Sequence, residues 1–166
     1  MKEHHSTPSD RRAAEAGFSL IELMIVIAII GILIAVGVTG WKAAVKQANE
    51  AAAVKTIRTI SEQQMLYYNG HNRSTFGTFE QMLKDGMLDA RFSNGTTPVV
   101  EGYVFSMKVI AKSTGQPASY TINADPQQSE GVGATGKNHF YSDSNSSTIH
   151  VNTDQPAAST DPPLGQ

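Results

Sequence analysis

Cysteine is absent from the 166-residue chain. That excludes disulfides, thiolate metal sites and cysteine nucleophiles. An exported domain built from this sequence must be held by packing alone. A basic excess is missing as well: 13 Lys and Arg stand against 15 Asp and Glu, a formal net charge of −2. No overall positive surface argues for a nucleic-acid partner. No histidine pair has the i, i+4 spacing of a helical metal site, and no nucleophile elbow, phosphate loop or poised acid pair is present. Neither catalysis nor a cofactor is expected.

The most informative absence is of charge. Residues 23–41 carry none. A helix of that length rises roughly 28 Å, close to the hydrocarbon thickness of a bilayer. Helix is the expected form, because an unpaired strand in lipid leaves backbone groups without partners. A single carboxylate, Glu22, enters the apolar segment four residues after Phe18. A charge at mid-membrane costs about 2.5–3.5 kcal/mol, and less near the interface. Two readings fit it. Glu22 lies at the membrane edge and reaches water, or it pairs with a cation. Cutting between Gly17 and Phe18 would create such a cation, an α-amine that ordinarily titrates near pH ~7.7–8.0. A buried carboxylate persists in lipid by pairing of this kind.

Gly17-Phe18-Ser19-Leu20-Ile21-Glu22 followed by a long apolar run resembles the N-terminal signature of type IV pilins and type II secretion pseudopilins. The resemblance is close over residues 17–38 and looser along the rest of the helix. It implies cleavage by a prepilin peptidase after Gly17 on the cytoplasmic side and N-methylation of the new terminus, Phe18. It implies that Glu22 is the assembly glutamate, pairing with the N-terminal amine of an adjacent subunit. It further implies an inner-membrane precursor, a helical homopolymer, and an assembly platform driven by a cytoplasmic ATPase. One departure stands out: many type IV pilins have proline where this chain has Thr39. The local helix weakeners here are Gly31, Gly37 and Gly40, each worth about 1 kcal/mol relative to Ala. They either permit a bend near residues 37–40 or only close helix packing. The disulfide loop of many pilins is excluded by the missing cysteines.

The expected organisation has four parts: a leader over residues 1–17, a transmembrane or filament-core helix over 18–41, a periplasmic or extracellular domain over 42–152, and a disordered tail over 153–166. Arg11 and Arg12 favour a cytoplasmic N-terminus. An ordinary signal peptide would need a shorter apolar stretch and a small-residue cut site, poorly matched by Ala35-Val36-Gly37. His4 and His5 belong to the leader. Past Trp41, a residue suited to the interface, the helix is expected to continue to Asn69, with Gly70 as a left-handed cap. Ala53, Val54, Ile57, Ile60, Met65, Tyr67 and Tyr68 form its apolar stripe, and Leu66 lies on its polar side. A capping box at Thr78 and Gln81 starts a short helix whose Phe79, Met82 and Leu83 face inward.

Alternation over residues 103–111, 119–124, 139–142 and 148–151 predicts an antiparallel sheet of three or four strands packed on the helix. The fold class is therefore α+β, and the resemblance implies that it is the pilin fold. The three prolines of residues 153–166 and their lack of aromatics point to disorder. His71, His139 and His150 read as surface residues. Asp125, Asp143 and Asp154 read as solvated loop acids, although some major pseudopilins hold calcium in a C-terminal loop. Asn72, Asn94 and Asn145 open N-x-[ST] triplets, a pattern common by chance in such a chain. The leading expectation is a pilus filament subunit. A secretion pseudopilin and a membrane-anchored periplasmic binding domain are the alternatives. The sequence does not assign motility, adhesion, DNA uptake or secretion.

Overall fold

The structure, a computed structural model, describes residues 18–146 and 148–165, apart from the Thr39 side chain. The expected leader, with Gly17, His4 and His5, lies outside the described residues, as do Ser147 and Gln166. The chain divides into two units, Met1–Gly40 and Trp41–Gln166. Helix α1 (Leu20–Gly70) contributes to both.

In the first unit every large apolar side chain over residues 18–38 is exposed. A side chain of that size is worth about 1.5–3 kcal/mol when withdrawn from water. A run of them along one helix needs lipid or protein around it.

The second unit is α+β. After α1 come α2 (Phe79–Lys84), a 3₁₀ turn (Ala90–Phe92), and strands β1 (Val99–Val100), β2 (Tyr103–Ile110), β3 (Ser119–Pro126), β4 (His139–Asp143) and β5 (His150–Asn152). The sheet is an antiparallel meander in the order β1-β2-β3-β4-β5. It has five strands where three or four are expected. The extra one is the two-residue β1, too short to show alternation. A two-residue turn joins β1 to β2, with Glu101 (φ 49°) and Gly102 (φ 78°) both left-handed, as a type I′ hairpin requires. A Cβ on Gly102 would approach Thr135 Cβ to 2.8 Å. Both its conformation and its packing therefore demand glycine.

The core forms where one sheet face meets the α1 stripe. Ala53, Ile57, Ile60 and Tyr67 are buried with Phe105, Tyr120, Ile122 and Phe140. Met65, assigned to that stripe by sequence, is exposed. Gln64 takes the inward position beside it and is fully buried. Its Nε2 donates to Gly77 O at 2.6 Å and its Oε1 accepts from Gly77 N at 2.9 Å. A buried amide is tolerable because both ends are paired.

The end of α1 also differs from expectation. Gly70 is helical, and the left-handed residues are Asn72 (φ 54°) and Arg73 (φ 55°). Arg73 N donates to Tyr68 O at 3.0 Å, which satisfies a terminal carbonyl. At α2 the Thr78–Gln81 capping box is present in both directions, and Phe79 and Met82 are buried as expected.

The tail is a correction. Residues 153–165 fold back along β5. Val151 N donates to Pro162 O at 3.0 Å and Leu164 N to Ile149 O at 2.7 Å. Asp161 accepts from Asn152 Nδ2 (3.0 Å) and Ala158 N (2.7 Å). Asn123 Nδ2 donates to Ala157 O at 2.8 Å, and Ala157 is buried. The prolines misled because composition does not show where carbonyls end up. Pro162 has no N–H to donate, yet its carbonyl serves the sheet edge, where proline is tolerated.

Candidate functional site: the N-terminal end of helix α1

Helix α1 begins where a side chain can replace a missing backbone partner. Ser19 is the residue before its first turn, and Ser19 O accepts from Leu23 N at 3.2 Å. Glu22 is the only acid in that turn. Its Oε2 accepts from Ser19 N at 3.5 Å, which is half of a capping box. Ser19-Leu20-Ile21-Glu22 is an S-x-x-E pattern, so this local role was readable from sequence and was missed. The helix N-terminus also favours a negative charge there. Glu22 is exposed, and among the described residues this long bond is its side chain's one hydrogen bond. The carboxylate keeps capacity for a stronger, cationic donor.

Phe18 is 87 % exposed. Gly17, the residue on the other side of the expected cut, lies outside the described residues. Behind Glu22, α1 is long and apolar enough to cross a membrane, and none of its apolar stretch is buried. Exposed apolar helix, one carboxylate at its tip and an aromatic residue just before it make an element suited to burial among like helices or lipid.

Of the other sequence candidates only His139 and Asp125 meet, partly buried on adjacent strands, where the sequence suggested a surface histidine and a loop acid. His139 Nδ1 lies 2.6 Å from Asp125 Oδ1 across β3 and β4. Asp143 caps the following turn, Oδ1 accepting from Asn145 N and Ser146 N at 2.9 Å each, while Oδ2 accepts from Tyr141 OH at 3.1 Å. Asp154 N donates to Asn152 Oδ1 at 3.0 Å, so Asp154 belongs to the turn after β5. His71 stacks on Tyr67, ring centroids 3.8 Å apart. His150 Nδ1 lies 2.6 Å from Asp161 O. Among the described residues no three His, Asp or Glu side chains cluster as a metal site. Asn72 and Asn94 are exposed, and the third triplet includes Ser147, outside the described residues.

Residues 12–38 match the family model described as the prokaryotic N-terminal methylation motif. This is the prepilin-type signature of type IV pilins and pseudopilins, and it spans Gly17, Phe18 and Glu22. No solved structure matches the chain. The motif supports a type IV pilin-like or pseudopilin-like protein, and the long apolar helix with the antiparallel sheet is consistent with an α+β pilin fold.

Proposed function

We propose that the chain is a structural subunit of a type IV pilus-like filament. It is made as a single-pass inner-membrane precursor with a cytoplasmic N-terminus. A prepilin peptidase cuts it between Gly17 and Phe18 and methylates Phe18. The subunit then leaves the membrane and polymerises through the first half of α1, drawn by an assembly platform and its ATPase. The observation that carries this reading is the methylation motif at residues 12–38, which runs into a helix whose large apolar side chains up to Val38 are all exposed.

The chemistry follows from one bond. In the precursor the nitrogen of Phe18 is an uncharged amide. Cleavage turns it into an amine that is largely cationic at neutral pH. In the low dielectric between packed apolar helices, an unpaired Glu22 carboxylate is strongly disfavoured. A neighbour's new amine offers a better partner than the 3.5 Å bond to Ser19 N. Pairing therefore selects the register in which subunits stack. A pseudopilin of a type II secretion system shares this N-terminal logic.

Replacing Glu22 with Val tests the reading. Cleavage is expected to proceed, since the cut lies on the other side of Phe18, while filament number per cell falls sharply. Unchanged filament number in cells making Glu22→Val would remove Glu22 from assembly.

A further inference from the structure

Immediately after the apolar run the charges are of one sign. Lys42 and Lys46 follow Trp41, and no acid occurs before Glu50. Trp41 is 73 % exposed. The ion pairs among the described residues involve His71, Arg91 and His139, and none includes Lys42, Lys46 or Lys137.

Glu50, the nearest acid on the helix, is already engaged. Its Oε1 accepts from Lys137 N at 2.8 Å and Asn138 N at 3.3 Å, and its Oε2 from Asn138 Nδ2 at 2.7 Å. Asn49 Nδ2 donates to Thr135 O at 2.8 Å. These bonds fasten the loop of residues 128–138 to the turn of α1 that follows Lys46, and they carry Lys137 there. The loop is closed by Thr135 N donating to Gln128 O at 2.8 Å. Between its two anchors, Val132 stands 81 % exposed with a glycine on either side. Glu130 is the loop's one acid.

We propose that Trp41, Lys42, Lys46 and Lys137 form a contact surface for anionic phospholipid headgroups, engaged while the subunit waits in the membrane. The inference rests on the reading of residues 18–41 as a membrane span. Chain continuity then fixes the partner. Lys46 follows Trp41 by roughly 8 Å of helix rise, within about one Debye length of the lipid surface. An indole favours that interface. Cations without ion pairs are drawn to anionic headgroups. Three lysines against Glu130 and the loop-bound Glu50 leave the patch positive. Polymerisation must release this contact, so membrane lipid composition sets how readily subunits are withdrawn.

The full chain allows a clean test because it lacks cysteine. A Ser129→Cys variant carries a single fluorophore on the exposed loop. It is reconstituted into nanodiscs of phosphatidylcholine alone, or with roughly one lipid in four replaced by phosphatidylglycerol, each containing headgroup-labelled nitroxide lipid. Quenching should be stronger in the anionic discs and should fade in about 1 M salt. Each of Lys42→Gln, Lys46→Gln and Lys137→Gln should weaken the contact roughly fivefold. Lys137→Gln leaves the backbone bond to Glu50 in place. Equal quenching in neutral and anionic discs, or no effect of the lysine substitutions, overturns the inference and leaves the span intact. A chain that fails to enter either disc overturns the span and the inference together.

Discussion

Replacing Gln64 with Leu removes the side chain that hydrogen-bonds helix α1 to Gly77 in the loop before α2. Both Gln64 and Gly77 are buried, and their two mutual hydrogen bonds are 2.6 and 2.9 Å long. Leucine fills nearly the same space but strands the Gly77 N–H and C=O. Each unpaired buried group costs about 1–3 kcal/mol. The added apolar burial offsets about 1–2 kcal/mol. The net loss is about 2–3 kcal/mol. Retreat of Gly77 toward water is restricted by Met82 and Tyr67, whose atoms lie within 3.0 Å of where a Gly77 Cβ would be. For a domain of this size the loss lowers Tm by about 6–15 °C. The assay is thermal unfolding of the full chain in detergent, followed by near-ultraviolet circular dichroism of the tyrosines. A Gln64→Leu protein melting with wild type would show that the Gln64–Gly77 pair is not needed to hold this part of the core.

Removing residues 155–166 should unpair Val151 N and bare the β5 edge, since Pro162 and Asp161 leave with the tail. Hydrogen exchange at Val151 should accelerate at least tenfold, and the truncated chain should self-associate through that edge; native protection at Val151 would contradict the docked tail. Alkaline pH should unfold the domain cooperatively. Burial, followed by the charges of Glu50 and Asp125, raises the Tyr103 hydroxyl pKa, and burial raises that of Tyr120. Both folded values exceed the unfolded value of about 10. The stability they confer is complete below that pH and declines as pH rises through the folded values. Phenolate absorbance of these tyrosines should therefore appear together with loss of structure; titration of every tyrosine near pH ~10 with the fold intact would refute this.

The parts legible in sequence were those set by local rules. The Thr78–Gln81 box, the β2 and β3 alternation and the apolar run each depend on residues a few positions apart. The meander strands longer than two residues followed from period-2 patterning. What stayed hidden depends on distant partners. Gln64 looks polar until Gly77, thirteen residues on, supplies both bonds. The tail looks disordered until Ile149 and Val151 supply its pairing. Glu101 adopts a left-handed turn conformation that glutamate rarely chooses, because the strands on either side of it pair. At the N-terminal site the motif was fully readable, since Gly17, Phe18 and Glu22 lie within one short contiguous stretch. Only the local bond from Ser19 N to Glu22 was overlooked.

The proposed function depends on one step, the cleavage of the precursor that would supply the amine to pair with Glu22. Intact-mass and fragment-ion spectrometry of the protein isolated from its native cells tests it most directly. The expected chain starts at Phe18 and carries one methyl group on its terminal nitrogen. A chain that keeps Gly17 and the residues before it, with an unmodified Phe18 inside the polypeptide, would contradict it.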